Sequence, residues 1–143
     1  MHFLLTKKVE RTIIEWYISI ILELVFFRRD EFMRIKLAIL ENDVNYLNKI
    51  VSVFSTKYGD KFQIYSFTNP ELAINSVIND KIDVFMVDDI FEIDPDKIPE
   101  RCSFLYLVNS VDIDTIRDQC AICKFQKAEL IYKQILSVYS ENA

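Results

Sequence analysis

From Met33 onward, short apolar runs alternate with stretches in which apolar residues recur every three or four positions. The first pattern fits strands buried on both faces and the second fits amphipathic helices. Their alternation is the signature of a parallel sheet covered by helices. Ile35–Leu40 reads as the first strand. Val44, Leu47, Val51, Phe54 and Tyr58 then fall at helical spacing behind Asn42 or Asp43, either of which suits an N-cap, and Gly59 with Asp60 ends that helix. Phe62–Phe67 reads as the second strand. Asn69-Pro70-Glu71 supplies a cap, a proline at the first helical position and an early acid for a helix running to about Asn79.

Asp83–Val87 reads as the third strand, and the acidic stretch after it, holding Pro95 and Pro99, admits at most a short irregular helix. Phe104–Val108 is expected to be the fourth strand, Asp112 to about Gln119 a weak helix, and Ala121–Cys123 a short fifth strand. The last helix, from about Gln126 to Tyr139, places Ala128, Ile131, Ile135 and Val138 on one face. The expected fold over residues 33–143 is therefore α/β and flavodoxin-like, (βα)5, with a five-stranded parallel sheet in the order 2-1-3-4-5.

Residues 1–32 stand outside that plan as an N-terminal extension. Thr12–Phe27 is strongly apolar but carries Glu15 and Glu23, and it falls short of the roughly twenty residues that cross a bilayer. No small-residue cleavage site follows it, as a signal peptide would require. Three readings stay open: a helix that packs on the domain or on a partner, an interfacial membrane helix, or a mis-assigned start of translation. Membrane contact through residues 12–27 is the least favoured. The third reading has a specific motive, because Arg28-Arg29 encoded as AGG-AGA would resemble a bacterial ribosome-binding site just ahead of Met33. Any other arginine codons there would remove it.

Composition narrows the chemistry. The net charge of −5 and the absence of any basic run longer than Lys7-Lys8 or Arg28-Arg29 argue against nucleic acid as a partner. A single glycine, Gly59, leaves no way to write a phosphate-cradling loop. With His2 the only histidine, a Cys-His or Ser-His-Asp nucleophile is not expected, so the chain is not read as an enzyme. Three cysteines without a convincing secretion signal fit a reducing, cytoplasmic setting. Cys120 and Cys123 have C-x-x-C spacing, yet residues three apart on a strand point to opposite faces, so the pair reads as core or edge cysteine.

What remains is the end of the third strand, Val87-Asp88-Asp89, which a parallel sheet delivers to its carboxyl edge. Glu41-Asn42-Asp43 follows the first strand and Lys124 follows the fifth. Plain alternatives exist for each. Asp88 and Asp89 can be a solvated strand end, Glu41 and Asp43 can favour the positive end of the next helix, and Lys124 can be an ordinary surface lysine.

These strand-end residues resemble those of a response-regulator receiver domain over about Met33 to Glu141. The resemblance implies Asp88 as phosphoacceptor, Lys124 as the phosphate-sensing lysine, and Glu41, Asp43 and Asp88 as ligands of a possible Mg²⁺, with no cofactor otherwise required. Val108 departs from the hydroxyl residue of that family, with Ser110 two residues on, while Ala121 replaces its aromatic and Phe125 the proline after the lysine. The segment from Cys123 to Lys133, with Glu41-Asn42-Asp43 and Ser66-Phe67-Thr68-Asn69, is similar to the atypical receiver domain of TadZ/CpaE-type pilus-assembly proteins. That narrower resemblance implies localisation, self-association (a homodimer among the options) or partner docking, alongside a MinD/ParA-like ATPase domain that this chain does not contain. A phosphoacceptor receiver of two-component signalling is the alternative. Exposed apolar residues near the last helices, such as Tyr132 or Tyr139, would mark the interface.

Overall fold

In the computed structural model, residues 12–21 and 34–142 are described. The chain divides into two units between Arg34 and Ile35. In the first, residues 12–21 are helical (α1); the rest of the expected Thr12–Phe27 segment and Met33 itself lie outside the described residues. Among the described residues no helix is long and apolar enough to cross a membrane.

The second unit is an α/β sandwich. Its elements are β1 (Ile35–Leu40), α2 (Val44–Tyr58), β2 (Phe62–Phe67), α3 (Pro70–Asn79), β3 (Val84–Asp88), a single 3₁₀ turn (Pro95–Lys97), β4 (Ser103–Val108), β5 (Thr115–Ile116), β6 (Gln119–Cys123) and α4 (Ala128–Asn142). Six strands form one sheet in the order β2-β1-β3-β4-β6-β5. All neighbours pair in parallel except β5 with β6. The helix caps follow local chemistry. Asp43 Oδ1 accepts from the Tyr46 N–H at 3.2 Å, and Asn69 Oδ1 accepts from the Leu72 N–H at 3.1 Å.

Alternation along the strands sorts the core into two halves. Leu37, Ile39, Val84, Met86, Leu105, Leu107 and Ile122 meet Leu47, Ile50 and Phe54 of α2 and Ile131 and Ile135 of α4 on one face. Ala38, Leu40, Phe85, Val87, Tyr106, Val108 and Ala121 meet Ala73 and Val77 of α3 on the other. β3 and β4 are buried along their whole length because both faces are covered.

Four expectations need correction. The sheet has a sixth strand, and the weak helix expected from Asp112 is absent. In its place Thr115–Ile116 folds back on β6 through Arg117 and Asp118, whose φ angles of 47° and 64° are left-handed. Two successive left-handed residues make the two-residue hairpin turn whose twist suits adjoining strands, and β-branched Thr115 and Ile116 suit a strand better than a helix. Val44 does not join the buried face of α2 but is 53% exposed. Tyr132 and Tyr139 are half-buried, not free at the surface. The Tyr132 ring stacks on Tyr58 with centroids 4.0 Å apart and planes 1° from parallel.

Phe54 is fully buried between α2 and the sheet, in ring contact with Tyr58 and Phe62. Phe54→Ala is expected to lower the unfolding free energy by about 3–5 kcal/mol in urea titrations without changing the slope of the transition.

Candidate functional site

Parallel strands bring their C-termini to one edge, and three residues just past or at those ends meet there. Backbone bonds that extend the ladder pin Glu41 and Lys124 directly and Asp88 through its neighbour Asp89. The Glu41 N–H donates to Phe67 O at 3.0 Å, the Asp89 N–H to Leu107 O at 3.0 Å, and the Lys124 N–H to Val108 O at 2.9 Å. Lys124 leaves the end of β6 and reaches past β4 to the ends of β3 and β1. Its Nζ lies 2.6 Å from Asp88 Oδ2 and 3.2 Å from both Oε1 and Oε2 of Glu41. All three residues are buried, with exposures of 0% for Glu41, 6% for Asp88 and 8% for Lys124.

Further contacts hold the group in place. Asp88 Oδ1 accepts from the Ile90 N–H at 3.0 Å, and Glu41 Oε1 accepts from the Asp43 N–H at 3.0 Å. The ammonium also sits 5.1 Å from the ring centroid of Tyr46 and 5.7 Å from that of Phe125, within reach of cation–π attraction. A cavity of about 440 Å³ opens beside it, lined by Asn42, Asp43, Asp89, Ile90 and Asn109 as well as the three central residues.

One cation therefore serves two carboxylates, and their proton affinities separate. Burial pushes Glu41 up to about 7, reinforced by neighbouring Asp88 and opposed by the Asp43 N–H and Lys124. Burial also works against the charge on Asp88, yet Glu41, the closer Lys124 contact and the Ile90 N–H outweigh it and hold Asp88 down at about 2. Lys124, despite burial, is raised above its ordinary value by the two carboxylates. Asp89 is raised by burial and by the charge of Asp88.

The expected residues Glu41, Asp88 and Lys124 are thus in direct contact. The expected Mg²⁺ set does not assemble as a ligand group. Asp43 spends Oδ1 on the α2 cap, and Glu41 and Asp88 both hold Lys124. Among the described residues no three His, Cys, Asp or Glu side chains are arranged around a metal position. A divalent ion would have to compete with a covalently tethered ammonium for the same oxygens.

The positions that depart from the receiver pattern have structural explanations. Val108 is fully buried, and Ser110 Oγ accepts from the Asp112 N–H at 3.2 Å within its own loop. Ala121 pairs in register with Tyr106, and both face the α3 side of the core. The Tyr106 ring fills that region, accepting from the Ile93 N–H at 3.3 Å with the Arg117 guanidinium 5.1 Å from its centroid. An aromatic at 121 would collide with it. Cys120 is exposed, Cys123 is buried, and both are free thiols. Sequence reasoning missed Asn109 and Tyr46. Asn109 had a signal, as the first residue past a parallel strand; Tyr46 had none, since its contact with Lys124 comes from packing.

Strand order, buried acidic pair and strand-end lysine define a receiver-like α/β domain. A family model described as the TadZ-like receiver domain matches residues 33–140, and the chain belongs to that family. No curated protein gives a significant match to it.

Lys124→Met leaves Glu41 and Asp88 buried without their cation. It is expected to destabilise the domain by about 3–5 kcal/mol at neutral pH, and combining it with Glu41→Gln should recover part of the loss in urea titrations. The pH dependence of the unchanged chain follows from the two shifts. Glu41 binds its proton more tightly folded than unfolded, so its contribution is present below its ordinary value of 4.5 and is lost as pH rises through about 7. Asp88 has the opposite sign: its contribution is present above its ordinary value of 3.8 and fades as pH falls toward about 2. The urea midpoint should therefore decline between mildly acidic and neutral pH, and Glu41→Gln should flatten that decline.

Proposed function

We propose that this domain is a non-catalytic, receiver-like interaction module that serves localisation, self-association or partner docking in a TadZ/CpaE-like pilus-assembly system. The observation that carries the proposal is the Lys124 ammonium bridging Asp88 and Glu41 at 2.6 and 3.2 Å. Phosphoryl transfer to a carboxylate calls for a cation that bridges transferred and accepting oxygens. In this pocket an internal ammonium already holds oxygens of both acids, the place such a cation would take. The absence of a hydroxyl at Val108 and of an aromatic at Ala121 removes the groups that would respond to a phosphoryl group, and a ligand shifts a conformation only through contacts that differ between states. The module acts in the cytoplasm, needs no cofactor, and works beside a MinD/ParA-like ATPase domain.

A phosphoacceptor role on Asp88 is the second reading, favoured by one observation: its carboxylate borders an open cavity and keeps its charge. Incubation with Mg²⁺ and acetyl phosphate, followed by intact-mass measurement, separates the two. The interaction module is expected to gain no stoichiometric phosphoryl mass. An adduct that disappears in Asp88→Asn would instead assign the domain to phosphorelay.

A further inference from the structure

A second cavity, of about 560 Å³, opens between α2 and the segment running from β6 into α4. Tyr46, Ile50 and Val53 line it from α2, and Ala128 and Ile131 line it from α4, giving an apolar floor. Apart from Lys124, which Glu41 and Asp88 already hold, its charged residues are Lys49 and Lys127, both exposed. No carboxylate among the described residues lines it. The acid of the first turn of α4, Glu129, is paired with Lys133 at 3.3 Å. Here the surface reverses the sign of a chain whose net charge is −5.

Two further observations mark the same groove. Phe125 is 64% exposed and meets Tyr46 edge-on with centroids 6.1 Å apart. Tyr46 Oη is the buried side-chain polar atom left without a hydrogen-bond partner among the described residues, and such groups call for an explanation.

We propose that this groove docks an acidic amphipathic helix of a protein partner, its apolar stripe on the floor and its carboxylates paired with Lys49 and Lys127. The proposal deepens the docking role inferred above and rests on it. The walls are helices whose backbone groups are spent on their own turns, so an extended segment would find no ladder to join, whereas a helix satisfies its own backbone. The volume suits about two or three apolar anchors at i, i+3 or i+4, and i+7. Two lysines are too few to track a nucleic-acid backbone. They are also a weak membrane anchor, at about 1 kcal/mol per lysine against an anionic surface, on a chain that is itself acidic.

The test uses the full-length chain and two fluorescent helical peptides, each with leucines at i, i+3, i+4 and i+7 and flanked in one by Glu and in the other by Lys. The Glu peptide is expected to bind about tenfold or more tightly than the Lys peptide, with Lys49→Glu/Lys127→Glu reversing the order. Phe125→Ala should weaken the Glu peptide by about tenfold. Failure of the Glu peptide to bind, equal binding of both peptides, or a preference unchanged in the double variant would overturn the proposal. So would a concentration-dependent dimer abolished by the double variant, which would put a second copy of this chain in the groove. Failure here leaves the docking role standing if the chain still self-associates through another face. A phosphoryl adduct on Asp88 removes that role whatever the peptides do.

Discussion

One buried ammonium shared between two carboxylates governs the carboxyl edge of this sheet. An unpaired charged lysine or carboxylate at these depths would cost several kcal/mol, so each charge there is tied to a partner. The strand order makes the sharing possible. β4 separates β6 from β3, and β1 lies on the far side of β3. Only a long, flexible side chain spans that distance, and lysine supplies both reach and charge. The backbone bonds that prolong the ladder at Glu41, at Asp89 next to Asp88, and at Lys124 then hold the strand ends from which the three side chains start. Fold and pocket therefore depend on each other. Twist or slip a strand, and the ion group loses a member.

The surroundings of the pocket are tied down by side chains from β4 and from the β5–β6 hairpin. Arg117, at the tip of the β5–β6 hairpin, donates to Asp89 O at 3.1 Å and to Phe91 O at 3.4 Å, so the loop leaving Asp88 is fastened to the sheet edge. Tyr106 fastens the next part of that loop by accepting from the Ile93 N–H. A small residue at Ala121 leaves room for the Tyr106 ring, and a hairpin stands where alternating βα units would have put a helix. These departures act together. The volume that a mobile aromatic would need is occupied by a core tyrosine held at its hydroxyl and covered by a guanidinium.

Much of this was legible in the residues, and the failures have physical causes. Strands β1 to β4 and helices α2, α3 and α4 follow from apolar periodicity and from caps at Asp43 and Asn69, because burial on both faces or on one stripe imprints itself on sequence. Asp112–Gln119 misled because it carries helix-compatible acids without an apolar repeat. What decides there is the left-handed conformation of Arg117 and Asp118, which their residue types permit but do not announce. Val44 obeys helical spacing yet lies at the first turn of α2, beyond the sheet that would cover it.

The sequence by itself determined the α/β class, the order in which strands and helices follow, and the strand-end positions of Glu41, Asp88 and Lys124, since all of these depend on local periodicity and on what parallel strands do with their ends. Only the tertiary structure decided that Lys124 crosses β4 to bind both acids, that Asp43 is spent on a helix cap, that Tyr106 fills the space beside Ala121, and that Lys49 and Lys127 flank one groove. Those facts depend on distances between residues far apart in the chain, which strand register and helix packing set and no local pattern records.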